Sequence, residues 1–288
     1  MRAALLTCVL LASVLQLSAQ QNSTTRATVS GVLDGMDSAS RAEREKAFGE
    51  AGELLEADTT SAKDADRLQL GIIQLLIREN REALKASELP SSNSASEEEQ
   101  GQGEDESDYY SVLVGFVANL NDVRAVPALL GAANTGGIAT RGIARFGKRA
   151  LDPTLVQVGS ANADLAEGAL WVIRDMLEFR LVSDPESHLR IKDALRAALR
   201  SSEFGVRVSA MGAIEYLDDR EEFVPLLKEV AQHDPVKLAG QRPDDGGDNG
   251  EFYPARFDAR RLLRKIANHE QPRIDRGLPA SEYQPVKP

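Results

Sequence analysis

The sequence is poor in cysteine, histidine and tryptophan, and acidic residues outnumber basic ones. One Cys and three His among 288 residues exclude a disulfide framework and a Cys/His zinc site. With 34 Lys and Arg against 45 Asp and Glu, the net charge is −11, which excludes a basic, nucleic-acid-binding surface over the whole chain. Hydrophobic residues make up 42% and charged residues 27%, which is close to globular averages and excludes disorder of the whole chain.

The N-terminus has the composition of a secretory signal peptide, which we place at residues 1–19. Arg2 precedes an apolar run from Ala3 to Leu17, and Ala19 offers a small residue for cleavage before the chain turns polar. The run is shorter than the ~20 residues of a membrane span. We therefore predict a secreted or periplasmic protein, with an uncleaved N-terminal anchor as the alternative. Cleavage would remove Cys8, and no later apolar run is long enough to predict a transmembrane segment.

Helical spacing of apolar residues recurs along the rest of the chain. No stretch shows the alternation of β-branched residues, bounded by hairpin turns, that is typical of strands, so we predict an all-α fold. The predicted helices run from Ser38 or Ser40 to about Ala57, from Thr60-Ser61 onward, over Tyr109–Leu120, Val123–Ala133 and Ile138–Gly147, from Asp152-Pro153 onward, and over Leu165–Phe179, His188–Arg200, Val206–Leu217, Glu221–Gln232 and Phe257–Asn268.

Composition divides the mature chain into four segments. Residues 20–89 are predicted to form helices that cap one end of the fold, and residues 109–271 to form the repeated helices. Between them, residues 90–108 contain seven acidic residues and no basic one, which predicts a disordered loop that serves as a solvated spacer or as a docking segment. Residues 272–288 contain four prolines and are predicted to be an extended tail.

Internal similarity appears at two places in the chain. The segment Val126-Pro127-Ala128-Leu129-Leu130 is similar to Val224-Pro225-Leu226-Leu227. Arg207 and Arg256 are each followed, at offsets of 3, 6, 7 and 10, by small or apolar residues on one helical face.

These segments resemble HEAT repeats, including the type named after phycobilisome lyases. The resemblance covers residues 109–268 and extends back to about residue 60. It implies a right-handed α-solenoid of about five to six antiparallel helix pairs, each burying its apolar face against its neighbours. The family often pairs an Asp in the turn with an Arg six residues later, whereas Ser201 and Gly250 occupy those positions here. A plain helical bundle is the alternative fold.

The sequence lacks the motifs of common catalytic sites. It contains no Gly-x-Ser-x-Gly, no His-Glu-x-x-His and no Gly-rich phosphate loop, so we predict a non-enzymatic protein without a cofactor. We expect His188, His233 and His269 to be surface or capping residues. Trp171 is expected in the core, with a role as a binding anchor as the alternative.

A weak candidate metal site lies in a loop with four acidic residues, Asp244, Asp245, Asp248 and Glu251. Oxygen ligands on a flexible loop suit Ca²⁺, but the spacing fails as an EF-hand at the third and twelfth places. The hypotheses are therefore an irregular calcium loop or an acidic segment preceding a helix.

A weak candidate partner-binding surface lies on the last predicted helix. Its basic residues are Arg256, Arg260, Arg264, Arg261 and Lys265. They predict either a surface for an acidic partner or a solvated face at the end of the helix. For Arg256, the alternative is a structural role in the repeat.

Taken together, these features predict an exported, non-enzymatic scaffold that binds one or more proteins and no nucleic acid. Two alternatives remain open. One is a regulatory or lyase-type subunit of an enzyme, which the resemblance to phycobilisome-lyase-type repeats implies. The other is a calcium-dependent surface-binding protein.

Overall fold

The computed structural model describes residues 28–87, 109–239 and 251–272. The predicted signal peptide, the acidic segment and all but the first residue of the predicted tail lie outside these ranges. Within them the regular secondary structure is helical apart from one pair of two-residue strands, which confirms the prediction of an all-α fold. None of the helices in these ranges combines the length and apolar character needed to cross a bilayer.

The α-helices of these ranges are numbered in chain order. They are α1 (Val29–Met36), α2 (Arg41–Glu56), α3 (Ala62–Ser87), α4 (109–119), α5 (Val126–Gly131), α6 (Gly137–Ala144), α7 (Lys148–Val158), α8 (Ala163–Glu178), α9 (Pro185–Ala198), α10 (Phe204–Ile214), α11 (Val224–His233) and α12 (Pro254–Ala267). Short 3-10 helices cover Val123–Ala125, Ala133–Thr135 and Arg220–Phe223, and β1 (Leu238–Ala239) pairs antiparallel with β2 (Glu251–Phe252).

Capping residues explain where several helices begin. The side chain of Asn162 accepts a hydrogen bond from the Leu165 amide at the start of α8. Asp184 does the same for the Ser187 amide, so α9 begins at Pro185 and not at the predicted His188. Proline in the first turn, where its missing N–H costs little, also marks the starts of α5, α11 and α12.

The prediction that Pro153 starts a helix is wrong, because Pro153 lies inside α7. The helix begins earlier because Gly147, at φ 53°, ends the preceding turn in a left-handed conformation that suits glycine. A β-carbon at Gly147 would lie 2.7 Å from the Leu181 carbonyl oxygen. Downstream of the proline, the Thr154 hydroxyl donates to the Ala150 carbonyl at 2.7 Å, which supplies a local bond beside the one the proline ring removes.

The helices contact one another in a regular order. Consecutive helices pack together at α1–α2, α2–α3, α5–α6, α7–α8, α9–α10 and α11–α12. Helices two apart also pack, with α1, α3, α5, α7 and α9 in contact along one row and α6, α8, α10 and α12 along another. Side-chain contacts extend this second row: Phe48 of α2 packs edge-on against Phe116 of α4, and a β-carbon at Gly142 of α6 would lie 2.7 Å from that of Ala118 on α4.

One continuous apolar core runs from Val32 in α1 to Ile266 in α12. Polar side chains also join successive helices of the even-numbered row. Thr140 of α6 donates to the buried carboxylate of Asp175 on α8, and Lys265 of α12 pairs with Glu215, which follows α10. Most helix contacts therefore join helices that are one or two apart in chain order.

Candidate functional site

Three helices of the even-numbered row, α8, α10 and α12, line a surface groove of about 390 Å³. We call this cavity the α8–α10–α12 groove. Its lining residues are Glu167, Trp171 and Arg174 from α8, Phe204, Gly205, Val208, Ser209, Met211, Gly212 and Glu215 from α10 and its end, and Asp258, Arg261 and Leu262 from α12.

The floor of the groove is the face of α10 that carries its smallest side chains. Gly205, Val208, Ser209 and Gly212 occupy positions i, i+3, i+4 and i+7 of α10, so they share one face. A β-carbon at Gly212 would meet no atom within 4 Å. The lack of large side chains on this face of α10 leaves the space between α8 and α12 open.

Trp171 forms part of the α8 wall, and its predicted place in the core is wrong. The side chain is only partly buried, and its Nε1–H donates to the Ser209 hydroxyl oxygen at 3.1 Å. This bond fixes the orientation of the indole against α10. Phe204, which is 37% exposed, adds a second aromatic side chain at the end of the groove where α10 begins.

Glu167 lies at the same end, against the first turn of α10. A β-carbon at Gly205 would overlap its carboxylate, so only glycine leaves room for this contact. Burial raises the pKa of Glu167, and the nearby carboxylates of Asp164 and Glu203 raise it further. No side chain or backbone group of the described residues forms a hydrogen bond or ion pair with its carboxylate.

The other charged side chains of the groove are paired. Arg174 donates through Nη2 to Asp175 at 2.8 Å; burial opposes its charge, but the neighbouring carboxylates outweigh that effect and raise its pKa. Arg261 pairs with Asp258 at 3.1 Å. Glu215 pairs with Lys265 at 2.5 Å. Glu167 is therefore the one charge of the groove without a partner among the described residues.

The five basic residues of the predicted partner-binding surface do not come together as one free surface. Arg256 donates to the Asp234 carbonyl at 2.7 Å and stacks over Tyr253, and Arg260 donates to the Ala231 carbonyl at 3.3 Å. Arg261 and Lys265 face the groove side of α12, in the ion pairs described above. Arg264 is exposed and has no ion-pair partner in the described part of the chain.

Three of the predicted calcium ligands, Asp244, Asp245 and Asp248, lie outside the described residues, and Glu251 begins β2. In the described ranges, no three or more His, Cys, Asp and Glu residues are grouped as a metal site would require.

The three histidines lie away from the groove. A ring nitrogen of His188 lies 3.0 Å from the Val182 carbonyl oxygen, His233 ends α11, and His269 follows α12 in a left-handed conformation at φ 53°.

Sequence reasoning missed the partner of Arg207. Its Nη1 donates to the carbonyls of Ser201 and Ser202 at 2.7 Å each, and its Nε donates to Asp234 at 2.5 Å. The position six residues before the arginine therefore contributes a backbone carbonyl where the family often has an aspartate. The carboxylate comes from the turn after α11, which no local pattern in the chain relates to Arg207.

Arg44 repeats this arrangement near the other end of the fold. Its Nη1 donates to the carbonyls of Ser38 and Ala39, and its Nε donates to the buried Glu79 at 2.7 Å. The sequence does carry a signal for this equivalence, because Arg44 is followed by Ala47, Ala51 and Leu54 at three of the offsets that Arg207 and Arg256 share.

No protein-family model and no curated protein sequence matches this chain. The resemblance to HEAT repeats therefore stays a prediction from the sequence segments described above.

Proposed function

We propose that this chain is an exported, non-enzymatic HEAT-like α-solenoid that binds a protein partner in the α8–α10–α12 groove. The order of helix contacts supports the solenoid. A stack of helix pairs requires each helix to meet its pair partner and the equivalent helices of adjacent pairs. The contacts of α5–α10, and of α12 with α10 and α11, are of this kind and support the proposal. The matching bonds of Arg44 and Arg207 support a repeated unit.

The main support for the binding function is the composition of the groove. It combines partly exposed aromatic side chains with charges held in fixed positions by ion pairs, which is the composition of a protein-recognition surface. Among the described residues, Ser209 is the one serine that lines it, its hydroxyl accepts the Trp171 N–H, and no histidine lines it. These features favour recognition of a folded or extended protein segment over nucleophilic chemistry.

Export is proposed from residues 1–19 alone. Mass spectrometry of the protein isolated from the secreted or envelope fraction of its own cells tests it directly. We expect the mature N-terminus at Gln20, and recovery of the intact N-terminus from a cytoplasmic fraction would contradict export.

A photo-crosslinking amino acid at Val208, on the floor of the groove, tests the binding function. The matched control carries the same amino acid at Val156 of α7, an apolar residue that is 77% exposed and lies outside the groove. Irradiation in the envelope or secreted fraction should give a discrete protein adduct from position 208 and none from position 156. Equal adducts from both positions, or none from position 208, would contradict the proposal.

A further inference from the structure

The ion pairs in the groove leave one carboxylate, that of Glu167, without a cation beside it among the described residues. Arg174, Arg261 and Glu215 each have a partner of opposite sign, so they contribute little net charge. Glu167 is partly buried and has no such partner among the described residues, and Asp164 and Glu203 add negative potential beside it. The end of the groove where α10 begins is therefore negative, and a bound segment that leaves it so would bury an uncompensated carboxylate.

The position of Trp171 relative to this carboxylate further limits which side chain of a partner would fit there. Glu167 and Trp171 are four residues apart on α8, so their side chains are neighbours on one helical face. Both line the groove, and the bond from Trp171 to Ser209 holds the indole in place. An aromatic ring and a carboxylate that lie side by side both attract a cation, the ring through its quadrupole and the carboxylate through its negative charge.

From this charge complementarity we propose that the groove binds a protein segment carrying an arginine or lysine, whose cationic group pairs with Glu167 while its aliphatic stem lies along Trp171. The inference rests on the proposed function, because it identifies the partner of the same groove. Apolar residues next to the basic one would contact Phe204, Val208 and Leu262, which also line the cavity.

Capped random heptapeptides immobilised on an array, probed with the exported protein, identify the preferred segment without assumptions about the partner. The best peptide and its Arg→Gln analogue are then titrated in solution by tryptophan fluorescence. Trp171 is the only tryptophan of the chain, so the signal comes from the groove. The variants are Glu167→Gln and, as the matched control, Glu229→Gln on the exposed side of α11.

We expect enrichment of Arg or Lys at one position of the bound peptides. Glu167→Gln should weaken the best peptide about five-fold or more, the order of one partly buried cation–carboxylate contact, and Glu229→Gln should leave it unchanged. The Arg→Gln peptide should bind the wild type and Glu167→Gln with the same low affinity.

Four other results would overturn the inference, and they differ in what they say of the proposed function. Bound peptides without a basic preference, or an unchanged affinity in Glu167→Gln, would reject the basic partner and leave the groove as a binding site. Failure of every peptide, together with no adduct from position 208, would reject both. Tighter peptide binding by a full-length Arg273→Ala/Arg276→Ala variant would identify the chain's own C-terminal segment as the occupant.

Discussion

The ion pair between Arg207 and Asp234 allows the sharpest test of how the fold is held together. The two side chains are 7% and 2% exposed, and Nε lies 2.5 Å from Oδ2. The variant Asp234→Asn keeps the shape of the side chain and an acceptor for the Val236 amide, but removes the charge opposite the guanidinium. Arg207 then remains charged and buried, with only two carbonyl acceptors and an Nη2 that already lacks one.

A charged hydrogen bond contributes about 1.5–3 kcal/mol, and breaking a buried pair from one side costs about 3–5 kcal/mol. Since the side-chain amide of the variant retains an oxygen for one bond, we expect a loss of about 2–3 kcal/mol in the free energy of unfolding. For a chain of this size that corresponds to a fall in Tm of roughly 3–5 °C. Urea denaturation followed by circular dichroism measures the loss.

The matched control is Asp218→Asn, which removes an aspartate from an ion pair with Arg180 whose two side chains are 82% and 76% exposed. It should cost about 0.5 kcal/mol or less. Hydrogen exchange should also rise first in α11 and α12, because Asp234 follows α11 and its carbonyl accepts the Arg256 bond from α12. Equal losses in the two variants, or protection lost uniformly over the chain, would refute the reasoning.

Three further variants test the packing of α8, the polar link from α6 to α8, and the cap of α9. Gly168→Ala places a β-carbon 2.8 Å from backbone of a neighbouring turn and should cost about 1–3 kcal/mol, whereas Gly52→Ala, with open space around it, should gain about 0.5–1 kcal/mol; urea titration of both variants checks the opposite signs. Thr140→Val removes the donor to buried Asp175 and should cost about 1–3 kcal/mol, and an equal loss in Thr140→Ser, which keeps the hydroxyl, would contradict this. Hydrogen bonds from the capped turn, with a nearby lysine, lower the pKa of Asp184 from 3.8 to about 2, so its stabilisation is present above the higher of these values and is lost as pH falls toward the lower one. The Tm difference between the wild type and Asp184→Ala should therefore shrink over that interval, and a constant difference from neutral pH down to the lowered pKa would argue against it.

Helix type and approximate position were predictable because they depend on local spacing. The segment predicted at Leu165–Phe179 corresponds to α8 at Ala163–Glu178, and the Val-Pro segments correspond to the starts of α5 and α11. Boundaries failed where a special backbone conformation intervened. Pro153 lies inside α7 because Gly147 allows the helix to begin earlier, and the composition around the proline does not reveal that.

The candidate site was less predictable than the helices. The basic residues of α12 share a helix, but they bind different neighbours. Arg256 and Arg260 donate to carbonyls on the α11 side, whereas Lys265 pairs with Glu215. Trp171 has the spacing of a core residue, yet the face of α10 that forms the floor of the groove carries Gly205, Ser209 and Gly212. Whether such a residue is buried depends on the helix that packs against it.

Local chemistry alone therefore accounts for the all-α class, the repeated Arg positions and the capped helix starts, because each depends on residues a few positions apart. The pairing of Arg207 with Asp234, the groove, and the unpartnered Glu167 beside Trp171 in the described part of the chain depend on tertiary contacts. They arise where three helices that are separated by long intervals in the chain pack together. Whether the Glu167 carboxylate has a partner there depends on which side chains those helices bring next to it.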